Sequence, residues 1–348
     1  MKIKYISMVV LTTIVVISLI SCDNYEQFEK ELYQNDIYIV SGRDYNIFDL
    51  EVYLDSSKVD YNISVSASGT TKISQDVKVT FKRDEALLTA YNFANFDLEE
   101  AKYAKELPLN KYNFPDESLM LKVSDEEVYS KYPLVINPKD LYDLKPDSVY
   151  FIPVAIDTVS AYSISRTKRG SLVRILPRNR YATSKKTTMY ILKGYKGTTD
   201  YLAEEINASY SPINSSNKVV QPLTNNSVKM NVGILSFADA NKATHVDVDR
   251  MAMVVTVNDD KSLSLKPYNE DAGLLEVEML PMPEGIDERE FVYKNRYEET
   301  PDRYVPGKLD QRFLMYYKYR TRNTTNDNWS DWTFILEASN DSKIINSY

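Results

Sequence analysis

The chain has 348 residues, 43% of them hydrophobic and 26% charged, which is the composition of a folded globular protein with about two domains. Its 50 acidic and 42 basic residues give a formal net charge of −8, which argues against a nucleic acid as ligand because such binding depends on clustered Lys and Arg. One His and one Cys exclude zinc sites built from several Cys and His residues, Cys-ligated iron–sulfur clusters and disulfides within the chain.

The N-terminus has the pattern of an export signal. Lys2 and Lys4 precede an apolar run over residues 6–20, which is short for a membrane span of ~20 residues but suits a secretory signal. The run ends in Leu19-Ile20-Ser21-Cys22, which resembles the lipobox of bacterial lipoproteins. This resemblance implies that residues 1–21 are a signal peptide and that Cys22 carries the lipid that anchors the protein to a membrane.

An acidic segment follows the predicted anchor. Residues 23–31 contain four acidic side chains, and we interpret residues 22–35 as a tether. The segment resembles the acidic stretch that follows the lipidated Cys in Bacteroidetes lipoproteins of the cell surface. We therefore expect an outer-membrane protein on the cell surface, with the periplasmic face as the alternative.

Most of the mature sequence predicts β-strands. Residues 76–82 alternate apolar and polar side chains, and residues 251–266 and 311–336 each read as a hairpin with polar residues at its turn. Good helix formers over residues 99–106 predict one helix that ends at Pro108. The sequence therefore predicts a mostly β protein with few short helices.

A polar, basic stretch over residues 176–187 predicts a domain boundary in this otherwise acidic chain. The expected domains are residues 36–178 and residues 188–348. Each is large enough for a hydrophobic core of its own. The sequence leaves open whether the second domain is an antiparallel β-barrel or a β-sandwich.

Short segments of both domains resemble a two-domain lipoprotein of unknown function that is common in Bacteroidetes. Residues 76–92, 107–112 and 148–156 resemble its immunoglobulin-like N-terminal module, which also precedes some family-18 endo-N-acetylglucosaminidase domains. Residues 188–340 resemble the β-rich domain that follows it. The resemblance implies an immunoglobulin-like β-sandwich and a role in capturing glycans near outer-membrane uptake systems. The family-18 acid motif is absent from the sequence, so that activity is not implied.

Aromatic side chains in the second half are candidates for binding a glycan. Trp329 and Trp332 are three residues apart, which predicts opposite faces of an extended strand, so that one ring packs inside and the other can stack on a sugar. The alternative is that both rings are packing residues. Three further candidates lie in the long polar segment between residues 281 and 308, namely Tyr293, Tyr297 and Tyr304.

His245, Asp247 and Asp249 alternate along one segment. On a strand their side chains would share a face, where they could hold a divalent metal ion or act as an acid–base group. The simpler interpretation is that Val246 and Val248 face the core and that the polar set faces water.

No motif of a catalytic or cofactor-binding site is visible. The sequence lacks a Gly-x-Ser-x-Gly elbow, a P-loop and a dinucleotide fingerprint, so we predict no enzyme and no cofactor, with a hydrolase as the remaining alternative. Asp147-Ser148-Val149 and Asp157-Thr158-Val159 resemble the Bacteroidetes O-glycosylation motif, which would modify Ser148 or Thr158. The expected function is that of a non-catalytic glycan-binding or accessory protein of a polysaccharide uptake complex. The alternative is a structural or adhesive surface protein that docks other proteins.

Overall fold

The structure is a computed structural model that describes residues 35–41, 46–69, 72–125, 129–200, 210–234, 245–287, 289 and 291–344. The predicted signal peptide, Cys22 and all of the tether except Asn35 lie outside the described residues. None of the helices in the described ranges is both long enough and apolar enough to cross a membrane.

The N-terminal half forms two sheets. Four strands pair in the order β7-β3-β1-β9, and five strands pair in the order β2-β10-β8-β4-β6, with β5 added along β8. The strands are β1 Asp36–Ile39, β2 Ile47–Tyr53, β3 Val59–Ala67, β4 Val77–Arg83, β5 Lys105–Glu106, β6 Ser118–Leu121, β7 Tyr129–Ile136, β8 Tyr150–Val159, β9 Ser163–Ile164 and β10 Gly170–Arg178.

The two sheets pack face to face because each strand alternates apolar and polar side chains. Val77 and Val79 of β4 are fully buried, whereas Lys78 between them is exposed. Ile63 and Leu134 come from the other sheet and share the same core. This arrangement is a β-sandwich, as the sequence predicts.

The helix predicted over residues 99–106 is absent, and an α-helix lies before this segment instead. The α-helix α1 covers Glu85–Phe96, and residues 99–106 contain one 3-10 turn at Glu100–Lys102 followed by β5. The Asp84 carboxylate accepts a hydrogen bond from the Ala86 N–H at 3.3 Å, which caps α1. The buried side chain of Asn92 bonds both the N–H and the C=O of Ala104 at 2.9 Å. These bonds keep the segment after the 3-10 turn extended, although its composition favours a helix.

The C-terminal half forms a near-closed antiparallel barrel. Its strands pair in the order β15-β14-β13-β12-β11-β19-β18-β16, and β17 pairs with the first half of β18. They are β11 Thr188–Gly197, β12 Tyr210–Pro222, β13 Ser227–Asn231, β14 Ala252–Val257, β15 Leu263–Pro267, β16 Leu275–Met279, β17 Arg296–Pro301, β18 Lys308–Thr321 and β19 Thr333–Ile344, with the short helix α2 at His245–Arg250. Bonds from Tyr297 N to Lys261 O at 2.9 Å and from Leu263 N to Asn295 O at 3.0 Å help to close the ring.

Apolar and tyrosine side chains fill the barrel, and one ion pair lies among them. Lys218 and Glu337 are 3% and 0% exposed, and their Nζ and Oε1 atoms are 2.5 Å apart. The hydroxyl groups of Tyr317 and Ser339 also donate to this carboxylate, at 2.7 and 2.6 Å. The Glu337 charge is therefore satisfied by three donors, as a buried charge requires.

The predicted fold class is confirmed: the protein is mostly β, with a sandwich followed by a barrel and two short α-helices in the described ranges. The structure also decides between the two alternatives for the second domain in favour of the barrel. Close approach of β11 to β19 depends on Gly194, because a Cβ there would lie 1.8 Å from the Leu336 carbonyl oxygen.

Candidate functional site

A cleft of about 150 Å³ lies between the sandwich and the barrel. Its walls come from the turn before β8, the end of β10, the residues that lead into β11, and the turn after β12. We call it the interdomain cleft. Its polar and aromatic lining residues include Lys145, Ser148, Tyr150, Arg174, Ser184 and Lys185.

Local hydrogen bonds fix the turn that forms one wall of the interdomain cleft. A 3-10 turn at Pro138–Leu141 begins where the Asn137 side chain accepts a bond from Lys139 N at 3.3 Å. Tyr142 then donates its hydroxyl to the Leu54 carbonyl at 3.0 Å, and the Lys145 N–H donates to the Tyr150 hydroxyl at 3.3 Å. The bond to Leu54 of the chain after β2 and the bond to Tyr150 of β8 therefore hold this wall in place.

Two cations of the cleft pair with carboxylates of β2. Arg174 Nε lies 2.8 Å from Asp49 Oδ1, and Lys185 binds Glu51, which also accepts a bond from Arg178 at 2.9 Å. The hydrogen bond from Lys185 lowers the pKa of Glu51. Burial alone would raise this pKa, and the Arg178 hydrogen bond lowers it further. Parallel pairing of β2 with β10 places Asp49 directly beside Arg174 and Glu51 one position from Pro177.

Asp147, the carboxylate in the cleft wall, binds side chains of the barrel. Asp147 Oδ1 accepts a bond from Gln221 Nε2 at 2.8 Å, and Asp147 Oδ2 binds Lys229. Lys229 is 2% exposed, binds Asp249 at 2.6 Å, and lies 4.4 Å from the centre of the Tyr268 ring. Burial and the two carboxylates raise the pKa of Tyr268 to about 12. A buried cation thus joins the two domains beside the cleft.

Trp329 and Trp332 lie on the outer surface of the barrel, just before β19 begins at Thr333. The rings do not occupy opposite faces of a strand, because both contact the Arg320 guanidinium, at 5.1 and 4.6 Å. Arg322 lies 4.4 Å from the Trp329 ring and Lys318 lies 4.7 Å from the Trp332 ring. We call these five side chains the aromatic–cation ladder. Each half-buried indole contacts two cations, so part of each ring surface is already covered.

The three candidate tyrosines occupy different environments. Tyr297 is 1% exposed inside the barrel and donates its hydroxyl to Glu299 at 2.6 Å. Tyr293 is half-buried against Phe291, and burial raises its pKa to about 12. Tyr304 is 84% exposed at a turn whose N–H groups bind Asp302. Tyr297 is therefore a core residue, and Tyr304 is the one of the three with a largely open ring.

The segment with His245, Asp247 and Asp249 forms α2 instead of the expected strand. A helix does not repeat every two residues, so the period-two argument for a shared face does not apply to this segment. Asp249 binds Lys229, whereas the side chains of His245 and Asp247 lie outside the described part of the structure. Across the ranges that the structure describes, no three His, Cys, Asp or Glu side chains are grouped to hold a metal ion.

The two candidate O-glycosylation sites lie at opposite ends of β8. Ser148, just before the strand, is half-buried in the cleft wall, and its Oγ accepts a bond from Lys105 at 3.1 Å. Thr158 is exposed, with its Oγ1 2.6 Å from that of Thr80. A glycan on Ser148 would therefore occupy the cleft, whereas one on Thr158 would not.

Sequence reasoning missed the cationic lining of the cleft. The signal for Lys185 was the basic stretch over residues 176–187, which also indicated a boundary between domains. No comparable pattern marks Lys145 or Arg174, since each is a single cation beside residues of the opposite or no charge. The domain junction brings the three together.

The fold and the junction define a class of two-domain, mostly β proteins. An N-terminal domain model matches residues 33–163, and its C-terminal counterpart matches residues 169–334. The chain belongs to the two-domain family that these paired models describe. No curated protein matches the chain.

Solved structures from Bacteroides share this fold. A Bacteroides ovatus protein of unknown function is 17% identical with a TM-score of 0.61, and the match covers 89% of this chain and 95% of that one. Another from the same species is 16% identical with a TM-score of 0.56, covering 92% and 94%. An auxiliary nutrient binding protein from Bacteroides thetaiotaomicron is 14% identical with a TM-score of 0.50, covering 85% and 90%. At these identities the comparisons show a common fold.

Proposed function

We propose that the protein is a lipid-anchored, non-catalytic glycan-binding protein of the outer-membrane surface, and that the interdomain cleft binds the glycan. The observation that carries this proposal is the lining of the cleft. Ser148 and Ser184 supply hydroxyl groups, Arg174 supplies fixed N–H donors, and Tyr150 supplies an aromatic ring. A sugar presents hydroxyl groups and apolar C–H faces, and this lining offers partners for both. Domain junctions are common places for small-molecule sites.

The state of the nearby carboxylates supports binding without catalysis. Glycosidases require two carboxyl groups across a cleft, one of which acts as an acid. Here Asp49 is held by Arg174, Glu51 by Lys185 and Arg178, and Asp147 by Lys229. The hydrogen bond from Lys185 lowers the pKa of Glu51. Glu51 is therefore a poor candidate for a proton donor, and the oxygens of the other two carboxylates are already bound by cations.

The N-terminal sequence supports the location. A lipid on Cys22 would hold the two domains at a membrane, since acyl chains contribute ~0.8 kcal/mol per buried CH₂. A protein with this fold that is named an auxiliary nutrient binding protein supports a role in binding a nutrient. Mass spectrometry of the protein purified from membranes tests this part. We expect an acylated peptide that begins at Cys22, and an unmodified Cys22 would contradict the anchor.

A glycan array with the full chain in detergent tests the binding function. Ser148→Trp places a large ring in the cleft, and Thr158→Trp places the same ring at the exposed far end of β8. We expect Ser148→Trp to lose the glycans that the wild type retains, and Thr158→Trp to keep them. The proposal fails when the wild type retains no glycan, or when Ser148→Trp binds as the wild type does while both variants unfold at similar temperatures.

One observation favours the second candidate function, a surface protein that docks other proteins. Met189, Ile191 and Val219 are 49%, 46% and 41% exposed on the neighbouring strands β11 and β12, and Met189 pairs directly with Val219. Contiguous exposed apolar side chains are typical of interaction surfaces. Light scattering of the purified protein separates the two functions. Oligomers that dissociate in Met189→Lys would favour docking, and a monomer would favour glycan binding.

A further inference from the structure

We infer that the interdomain cleft selects a carboxylated sugar, a hexuronate unit, over neutral sugars. This inference rests on the proposed function and names the class of its ligand. Four lining residues are charged at neutral pH, namely Lys145, Asp147, Arg174 and Lys185, and three of them are cations. They lie in a chain with a formal net charge of −8. The side chains that line the cleft are thus mostly cationic, and Asp49 and Glu51 lie behind two of them as ion-pair partners.

The one carboxylate of the lining is bound by the barrel. Both oxygens of Asp147 face the barrel, where Gln221 and Lys229 donate to them. Lys229 is 2% exposed and shares its charge between Asp147 and Asp249. The repulsion that a free carboxylate would exert on an anionic ligand is therefore reduced at this position.

Lys145 is the cation most available to a ligand. Its side chain is exposed, and no carboxylate among the described residues pairs with it. Its backbone N–H is fixed by the Tyr150 hydroxyl, which holds the residue at the cleft. An ammonium group at the mouth of a cleft favours a ligand with negative charge, and it retains all three N–H donors for that ligand.

Arg174 and Lys185 have donors left after their own ion pairs. Arg174 uses Nε and Nη2 toward Asp49, and its side chain is 30% exposed. Lys185 uses one of its three donors toward Glu51 and is 54% exposed. The remaining Nη donors of Arg174 and the ammonium group of Lys185 can each bind an oxygen of a carboxylate, and such bonds are charge-assisted.

The remaining features favour a sugar as the carrier of that carboxylate. Ser148 and Ser184 provide hydroxyl groups next to the cations, where ring hydroxyls of a sugar would bind. A volume of about 150 Å³ is below the ~300–1,000 Å³ of sites for drug-sized ligands. The cleft therefore suits a single sugar unit or the end of a chain.

Calorimetry of the full chain in detergent tests the inference, with glucuronate and galacturonate compared with glucose and galactose, and glucose 6-sulfate as a second anion. We expect the uronates to bind at least ~10-fold more tightly than the neutral sugars, because charge-assisted hydrogen bonds are stronger than neutral ones. Lys145→Gln should remove most of this preference, and Lys145→Arg should retain it. Lys139→Gln, an exposed lysine on the preceding 3-10 turn, is the matched control and should bind as the wild type does.

The outcomes separate this inference from the proposed function. Equal affinity for uronates and neutral sugars would overturn the inference and leave glycan binding intact. Binding of the sulfated sugar in preference to the uronates would overturn the assignment of a carboxylate. When none of these sugars binds and the glycan array is also blank, the proposed function itself fails.

Discussion

Lys229 of the barrel binds Asp147 of the sandwich, and with 2% of its side chain exposed this lysine forms a buried link between the two domains. The same ammonium binds Asp249 of α2 at 2.6 Å. This link fixes the turn that forms one wall of the interdomain cleft. It also explains why the Asp147 charge is not presented to a ligand.

Lys229→Met should weaken the junction because it leaves two carboxylates without their shared cation. We expect a loss of ~3 kcal/mol, the lower end of the range for removing one partner of a buried pair, since both carboxylates are about a quarter exposed. Urea unfolding measures it. Lys266→Met removes an exposed pair with Glu270 and should cost less than ~1 kcal/mol. Equal effects of the two substitutions would contradict a buried link.

The ion pair inside the barrel should respond differently to single and double substitution. Burial lowers the pKa of Lys218, and Glu337 opposes this by favouring the charged form. Lys218→Met alone leaves the Glu337 charge unpaired and should cost about 3–5 kcal/mol. Lys218→Met combined with Glu337→Leu should recover much of that loss. Denaturation curves of the single and double variants test this, and simple additivity would contradict it.

Glu299 should make the barrel sensitive to acid. Burial alone would raise its pKa, but hydrogen bonds from Arg180, Tyr297 and Gln311 lower it to about 2. Because this value lies below the ordinary 4.5, the carboxylate stabilises the folded state above pH 4.5, and the stabilisation is lost as the pH falls toward 2.

Glu299→Gln should therefore flatten the fall in melting temperature between pH 4.5 and about pH 2, as followed by circular dichroism. The exposed residue Glu284 provides the matched substitution, Glu284→Gln, which should keep the wild-type slope. If the melting temperature of Glu299→Gln fell with pH as steeply as that of the wild type, other groups would control the loss of stability in acid.

The aromatic–cation ladder should contribute to stability rather than to glycan binding. Trp329→Ala removes contacts with two cations, and cation–π contacts at exposed sites contribute about 0.5–1 kcal/mol each. We expect a loss of about 1–2 kcal/mol in unfolding free energy, with glycan retention unchanged. If Trp329→Ala lost glycan binding while its stability stayed unchanged, the aromatic–cation ladder would be the binding surface instead.

Local patterns predicted the strands well because alternation and turn chemistry act over a few neighbouring residues. The hairpins expected over residues 251–266 and 311–336 appear as β14–β15 and β18–β19. The helix expected over residues 99–106 is absent because Asn92, twelve residues from Ala104, fixes the backbone there. The two Trp residues precede β19, so the period-two rule for strands did not apply to them.

The cleft could not be predicted in the same way. Lys145 precedes β8, Arg174 lies on β10, and Lys185 lies between β10 and β11. The antiparallel pairing of β8 with β10 and the Lys229–Asp147 link bring them together, and both join positions distant in sequence. Tyr297 was predicted as a surface candidate but lies in the core. The polar residues around it gave no indication that it belongs to a strand, β17, whose Tyr297 side chain faces the barrel interior.

A crystal structure of the protein with a retained saccharide would show where the sugar binds. We expect a sugar ring in the interdomain cleft, with its oxygens within hydrogen-bond distance of Arg174 and Ser148. A sugar bound over Trp329 and Trp332, with nothing in the cleft, would contradict it.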